Sequence, residues 1–257
     1  MLSEFPIHPS LAAADLARAR RWYEVKLGLV PSQDLGSVLV YSLGSSNFAV
    51  YETPSAGTAK NTVAIWNVAD LRADMARLRG RGVVFVDYDF GDIRTVDGIM
   101  SEPEGDLNAW FTDSEGNIIG LVQRAGGTRE SAVSPMLAAS DLRRARAWYE
   151  EKLGFVPVEE YEGILLVYQS GADRFSVYET SFAGTAKNTV AVWRVDGLRS
   201  EMAVLRSRGV AFEDYDFGDL RTVDGVLTDP EGDLNAWFKD SEGNILGLAE
   251  DRGQIPG

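Results

Sequence analysis

The spacing of hydrophobic residues in the first fifty positions predicts a strand, a helix and two further strands. The apolar run that starts at Leu11 indicates a short strand, and Asp15 follows it as a residue type that commonly caps helices. A helical spacing then continues until Gly28, which ends the helix. The apolar face of this helix comprises Leu16, Ala19, Trp22, Tyr23 and Leu27. Residues 38–43 and 47–53 are rich in β-branched and aromatic residues and predict two strands.

The next seventy residues repeat this order of elements. A strand is predicted over 62–68, Asp70 caps the next helix, and Gly80 and Gly82 end it. Strands are predicted at VVFVDYDF, GIMSEP, LNAWFTD and NIIGLVQ, with turns at Asp97-Gly98 and Glu115-Gly116-Asn117. The first half therefore contains two βαβββ modules. This order excludes a doubly wound sheet, which requires regular alternation of strands and helices.

The second half of the chain repeats the first. Four segments recur with few changes, namely 9–30 as 135–156, 51–68 as 178–195, 87–98 as 214–225, and 104–121 as 231–248. Between the copies, the polar stretch RAGGTRESAV with its glycine pair indicates a linker. The sequence thus predicts a domain at 1–123, a linker at 124–133, a second domain at 134–250 and a tail at 251–257.

Composition narrows the possible functions. The 257 residues carry a net charge of −14, which disfavours nucleic-acid binding because such a surface repels phosphate groups. This charge is explained by solubility or by attraction of a cationic ligand. The absence of cysteine excludes disulfides, thiolate metal sites and a cysteine nucleophile. No signal peptide or membrane-spanning segment is visible, so we expect a cytoplasmic protein without a membrane partner.

Three motifs carry a resemblance to a known family. Each copy has a strand that ends in (A/S)DL, a helix that contains WYE and KLG, and a DSEGN segment before the last strand. Together these resemble the vicinal oxygen chelate superfamily, which includes glyoxalase I, extradiol dioxygenases and the bleomycin-resistance proteins. The resemblance implies an α+β fold made of a tandem pair of domains, in each of which two βαβββ modules form a U-shaped mixed or antiparallel sheet around a cleft. The superfamily hosts unrelated chemistries on one scaffold, so the fold alone does not define the function.

The resemblance also indicates where metal ligands would stand. Transferred one at a time, the four positions fall on His8 or Ser134, Glu52 or Glu179, Val63 or Val190, and Gly120 or Gly247. A catalytic ion in a protein commonly has three side-chain donors, and this set offers two or fewer per site. We therefore expect no metal and no cofactor.

Strand alternation extends these positions to a cleft face. With His8 and Glu52 taken as pointing inward, the cleft is predicted to hold one tryptophan, one phenylalanine and a few polar groups in each copy. The candidate ligand-binding residues are His8, Phe48, Glu52, Asn67, Asn108, Trp110, Ser134, Phe175, Glu179, Arg194, Asn235 and Trp237. Tyr51, Tyr178, Trp66 and Trp193 are predicted to point the other way and to pack under the helices.

Three functions are compatible with such clefts. The first is a metal-independent binding protein of the bleomycin-resistance type, whose partner is a small organic ligand of planar or cationic character. The second is a glyoxalase-like lyase or isomerase, in which Glu52 or Glu179 would act as a base if apolar neighbours raise its pKa. The third is an interaction module with vestigial clefts. The duplication further predicts a pseudo-dimeric monomer, and a further homodimer stays open.

Overall fold

The structure is a computed structural model that describes residues 1–90, 93–127, 132–217 and 220–252. Residues 128–131 of the predicted linker and 253–257 of the predicted tail lie outside the described residues. None of the described helices is long and apolar enough to cross a membrane.

The first repeat contains the predicted order of elements. A short 3₁₀ helix over Leu2–Glu4 precedes it. Its elements are β1 (Ile7–Ala13), α1 (Leu16–Trp22), β2 (Gln33–Asp34), β3 (Val38–Leu43), β4 (Ser46–Glu52), β5 (Thr62–Asn67), α2 (Leu71–Gly80), β6 (Asp89–Phe90), β7 (Ile93–Arg94), β8 (Met100–Ser101), β9 (Leu107–Thr112) and β10 (Ile118–Gln123).

The second repeat has the same plan. Its elements are β11 (Ala132–Ala139), α3 (Leu142–Trp148), β12 (Glu159–Tyr161), β13 (Leu165–Ser170), β14 (Asp173–Glu179), β15 (Thr189–Arg194), α4 (Leu198–Ser207), β16 (Asp216–Phe217), β17 (Leu220–Arg221), β18 (Leu227–Thr228), β19 (Leu234–Lys239) and β20 (Ile245–Glu250). The α+β class and the tandem βαβββ organisation are therefore confirmed.

The chain divides into two compact units whose limits fall inside strands. One unit, called the N-terminal unit below, spans Pro9–Met136, and the other, the C-terminal unit, combines Met1–His8 with Leu137–Gly257. Strands β1 and β11 therefore each contribute residues to both units. Residues 124–127 and 132–133 of the predicted linker lie within the N-terminal unit.

Within each unit the two modules form separate sheets. In the N-terminal unit the strand orders are β2-β3-β4-β1 and β8-β9-β10-β5, with the first residues of β11 beside β5. The C-terminal unit has β12-β13-β14-β11 and β18-β19-β20-β15, and in it the Arg194 N–H donates to the Pro6 carbonyl. The N-terminal segment before Pro9 thus borders the second sheet of the C-terminal unit.

Aromatic side chains fill the core between the two modules of each unit. In the N-terminal unit, Tyr41 stacks on Phe48 with ring centroids 5.0 Å apart, and Phe48 contacts Trp66 of the other module at 5.6 Å. The C-terminal unit repeats the arrangement with Tyr168, Phe175 and Trp193. Burial of large aromatic side chains is the main apolar contribution to such a core.

The helices begin and end as the sequence predicts. The Asp15 carboxylate accepts a hydrogen bond from the Arg18 N–H, and Asp70 caps α2 in the same way through Ala73. After Trp22 the helix continues as one π-helical turn, Tyr23–Leu27, and stops at Gly28, whose φ of 75° favours glycine.

The WYE and DSEGN motifs meet in a buried hydrogen-bond network that joins the two modules. The Tyr23 hydroxyl donates to the Asp113 carboxylate at 2.9 Å, and the Asn117 side chain donates to the Ala12 carbonyl at 2.8 Å. Arg18 binds the buried Glu115 carboxylate through two nitrogens. Burial raises the pKa of Asp113. Both motifs are therefore explained by folding, which removes them from the candidate functional residues.

The predicted strand at VVFVDYDF is only partly present. Val83 and Phe85 are buried and Val84 is exposed, but Phe85 forms a single bridge to Phe111 and the next regular pairing is the hairpin β6–β7. The hairpin is held by Asp87, which accepts hydrogen bonds from the Thr95 hydroxyl and the Gly98 N–H. This local bonding replaces a longer pairing with β9.

Candidate functional site

One face of the second sheet in the N-terminal unit carries four of the twelve candidate ligand-binding residues, namely Asn67, Asn108, Trp110 and Ser134. Strand register places Ser134, Ile65, Gly120 and Trp110 opposite one another in one row across four strands. Their neighbours Ala64, Ile119 and Phe111 point to the opposite, aromatic face, because side chains alternate along a strand.

The neighbouring row of the same face contains two side-chain amides, and it is called the polar row below. Asn67 lies opposite Val122, which in turn pairs with Asn108. Both amides are half-buried, and the Asn108 side chain lies 3.4 Å from a Glu102 carboxylate oxygen to which it donates. Side-chain amides beside an apolar row can orient a bound organic molecule by hydrogen bonds.

Trp110 is the largest half-buried side chain of this face. Its indole lies against Gly120, since a Cβ built on that glycine would be 3.3 Å from the indole Nε1. The Tyr88 ring meets the indole edge-on at a centroid distance of 5.5 Å. Burial raises the pKa of Tyr88. The pair offers a partly open aromatic surface bordered by the hairpin β6–β7.

The C-terminal unit repeats this face with different polar groups. Val192, Gly247 and Trp237 form the row, and Tyr215 meets Trp237 edge-on at 5.6 Å. Arg194 and Asn235 occupy the polar row, both opposite Ala249. The Pro6 carbonyl accepts a hydrogen bond from the Arg194 N–H on the adjacent strand. His8 is two residues after Pro6, as Val192 is two residues before Arg194, so His8 extends the first row.

His8 has a charged neighbourhood. Its Nδ1 lies 3.9 Å from an Asp173 carboxylate oxygen, and the two side chains are only 15% and 13% exposed. This distance is too long for a hydrogen bond, and Nδ1 has no partner in the part of the chain that the structure describes. Burial, reinforced by the charge of Arg194, lowers the pKa of His8 to about 4. His8 is therefore neutral at pH 7.

The structure separates the other predicted cleft residues from these faces. Phe48 and Phe175 are fully buried in the aromatic cores, on the face opposite to Ala49 and Ser176. Glu52 and Glu179 are exposed at the ends of their strands. The two phenylalanines were predicted to face the cleft because each lies four residues before Glu52 or Glu179. The strand register shows that this prediction was wrong.

The register identifies the true equivalent of Gly120 on β4. Ile65 lies opposite Gly120 in the second module, and Ser10, at the matching position of the first module, lies opposite Ala49. Ala49 therefore takes the place that the sequence assigned to Glu52. Tyr51, which pairs with Ala12, shares the face of Ala49 and does not pack under the helix as predicted.

Three contributors to the faces were missed from the sequence. Tyr88 and Tyr215 belong to the repeated DYDFGD segment, whose identity in both copies was a signal without an assigned role. Asp173 stands where the first copy has Ser46. Its role becomes visible only in the structure, where it lies beside His8.

The donor atoms at the four family positions do not fit a divalent ion. Ala49, Val63, Val190, Gly120 and Gly247 carry no ligand group, which leaves His8 and the hydroxyl groups of Ser134 and Ser176. The indole also occupies the space above Gly120 that a longer side chain would need. Within the described ranges, no three histidine, aspartate or glutamate side chains are placed to hold a metal. We therefore derive no chemistry through a metal ion.

Comparison with known proteins defines the fold. No protein-family model matches the chain, and no curated protein sequence matches it. Among solved structures, glyoxalase I from Zea mays superimposes with a TM-score of 0.66 at 15% identity, covering 95% of this chain and 91% of that chain. Its V278E mutant gives a TM-score of 0.68 at 14% identity, with coverage of 95% and 91%. A protein from Bacillus subtilis subsp. subtilis str. 168 named "putative dioxygenase" gives 0.62 at 14% identity, with coverage of 95% and 84%.

These likenesses extend over nearly the whole chain. The protein therefore has the same fold as glyoxalase I from Zea mays, which is the fold that its motifs predicted. At these identities the comparison defines the fold alone.

Proposed function

We propose that the protein binds a planar organic molecule on the sheet faces that carry Trp110 and Trp237, without the help of a metal ion. The observation that carries this proposal is the pairing of each half-buried indole with a tyrosine ring, beside side-chain amides. Stacking on an aromatic pair contributes about 0.5–1.5 kcal/mol beyond the burial of area. The donor-poor positions around Gly120 and Gly247 support a site that recognises shape and hydrogen bonds.

The experiment uses three planar probes of different charge, namely 2-naphthamide, 2-naphthoate and 9-aminoacridine. Binding is measured by calorimetry and by the melting temperature, each with and without EDTA. A ligand of the native state must raise the melting temperature. We expect at least one probe to bind, and Trp110→Ala and Trp237→Ala each to weaken or remove one site.

Trp22→Phe is the matched control, because Trp22 packs on Phe111 in the core and not on the proposed face. The proposal is overturned when no probe raises the melting temperature at millimolar concentration. It is equally overturned when binding is unchanged in both alanine variants, or when binding disappears in EDTA.

A glyoxalase-like lyase or isomerase is the second candidate function. It is the alternative because the chain shares its fold with maize glyoxalase I over 95% of its length. A metal-dependent enzyme of this kind would keep stoichiometric zinc or nickel through purification and lose it in His8→Ala. Elemental analysis of the purified wild-type protein and this variant separates it from the binding function.

A further inference from the structure

The two units differ in charge at three positions on or next to the proposed ligand faces. His8, Asp173 and Arg194 of the C-terminal unit stand where the N-terminal unit has Ser134, Ser46 and Asn67. Backbone contacts support this equivalence, since the Val133 N–H donates to the Ser46 hydroxyl and the Ile7 N–H donates to the Asp173 carboxylate. The C-terminal unit therefore carries ionisable side chains where the N-terminal unit carries neutral ones.

Arg194 is the accessible member of this charged group. Its side chain is 38% exposed, whereas those of His8 and Asp173 are 15% and 13% exposed. It lies in the polar row of the face, across Ala249 from Asn235. Its positive charge acts on the His8 ring and, together with burial, lowers the pKa of His8. The guanidinium is therefore placed to act on a molecule that contacts the Trp237 face.

The present partner of Arg194 is a carboxylate that can be exchanged. Asp251 forms the ion pair and is 56% exposed, close to the end of the described chain. Exposed ion pairs of this kind contribute about 0–1 kcal/mol, so little is lost when another carboxylate replaces Asp251. The planar guanidinium is suited to carboxylates because it offers two parallel N–H donors.

We propose that Arg194 forms a carboxylate subsite on the Trp237 face, so that the C-terminal unit prefers a planar ligand with an anionic group. The N-terminal unit, with Asn67 at the same place, takes a neutral planar ligand. This inference rests on the proposed function and specifies the ligand chemistry of the same faces. It also opposes the expectation of a cationic ligand from the net charge, because the local guanidinium decides the contact.

The test compares 2-naphthoate with 2-naphthamide, which share size and shape and differ in charge. Calorimetry on the wild-type protein should show a site at which naphthoate binds about tenfold more tightly than naphthamide. Arg194→Asn, which installs the residue of the other unit, should remove this preference. Asn67→Arg should create a second site that prefers naphthoate.

Asp251→Asn supplies a readout that a purely structural role of Arg194 would not change. Removal of the competing carboxylate should tighten naphthoate binding and leave naphthamide binding unchanged. Arg194→Asn and Asp251→Asn thus have opposite effects on one ligand, although each breaks the same ion pair. Circular dichroism of both variants verifies that they fold.

His8 provides a second signal, because it is the only histidine of the chain. The bound naphthoate should offset the field of Arg194 and raise the pKa of His8 in an NMR titration, whereas naphthamide should not. The inference fails if Trp237→Ala abolishes binding but the site binds naphthoate no more tightly than naphthamide. It also fails if the same site prefers 9-aminoacridine. When no probe binds at all, the proposed function itself has failed.

Discussion

The indole of Trp110 covers Gly120 from the adjacent strand, and Trp237 covers Gly247 in the same way. The glycine and the tryptophan are directly opposite each other in the ladder, so the ring compensates for the missing side chain. Each pair fills the position at which the family resemblance implies a metal ligand. The same pair of residues therefore explains both the missing ligand group and the partly exposed aromatic surface at this position.

Restoring an acidic side chain at this position should destabilise the protein. Gly120→Glu would bring its Cβ to 3.3 Å from the indole Nε1, and Gly247→Glu would bring its Cβ to 3.1 Å from Val192. Overpacking of this kind costs about 1–3 kcal/mol. We expect a loss of this size in the free energy of unfolding, measured by urea denaturation.

Gly126→Glu is the matched control, because a side chain there meets no atom within 4 Å. Its effect should stay within about 0.5 kcal/mol, as for most surface substitutions. Equal stability of the Gly120 and Gly126 variants, together with new zinc binding in Gly120→Glu, would contradict the view that the indole excludes a ligand.

The buried tyrosines give a second prediction. Tyr149 donates a hydrogen bond to Asp240 at 2.9 Å, and Tyr149→Phe should reduce stability by about 1–3 kcal/mol, because it removes a donor from a buried carboxylate. Burial raises the pKa of Asp240 to about 6, while hydrogen bonds from Asn244 and Tyr149 act in the opposite direction. Without the hydroxyl this pKa rises further, so the destabilisation grows as the pH increases above 6. Urea denaturation at pH 5 and pH 8 measures both effects.

Tyr168→Phe serves as its control. The Tyr168 hydroxyl is buried and has no hydrogen-bond partner among the residues that the structure describes. Removal of an unsatisfied polar group costs little or is stabilising. A loss in Tyr168→Phe as large as in Tyr149→Phe would show that the removal of a buried hydroxyl, and not of its hydrogen bond, is responsible.

The third prediction concerns pH and His8. Burial and the charge of Arg194 lower its pKa from 6.5 to about 4, against the nearby Asp173 carboxylate, which would favour the imidazolium. Between these values the unfolded chain binds a proton that the folded protein does not. The contribution of His8 to stability is thus complete above pH 6.5 and is lost as the pH falls through 4.

Two measurements check this prediction. An NMR titration of the single imidazole should give a midpoint near 4, and Arg194→Asn should raise it. In urea, the decline in stability between pH 7 and pH 4.5 should be smaller for His8→Ser than for the wild type. A midpoint near 6.5 would mean that the ring is solvated and that the described neighbourhood is wrong.

Elements defined by local chemistry were predictable from the sequence. Helices begin after Asp15 and Asp70 and end at Gly28, as expected for these residue types. The period of the apolar residues predicted the order of the strands. The same alternation failed on β4, because it started from Glu52, which is three residues beyond Ala49, and an odd offset exchanges the two faces of the strand. A register error of one residue exchanges the two faces of a strand.

The site was predictable only in part, because it combines segments that are distant in the chain. Trp110, Asn108 and Asn67 were found since they lie on regular strands. The Tyr88 contact depends on the fold of a hairpin, and the His8–Asp173 approach joins residues 165 positions apart. Neither contact produces a pattern in the local sequence, because its two residues are far apart in the chain.

The first eight residues belong to the C-terminal unit and not to the repeat that they precede. There the Phe5 carbonyl accepts a hydrogen bond from the Ser170 hydroxyl and the Ser3 carbonyl accepts one from the Gly171 N–H. A fragment that starts at Leu137 would lose these bonds together with its imidazole. The second half produced alone would therefore be an incomplete domain, and supplying residues 1–8 as a separate peptide should restore it.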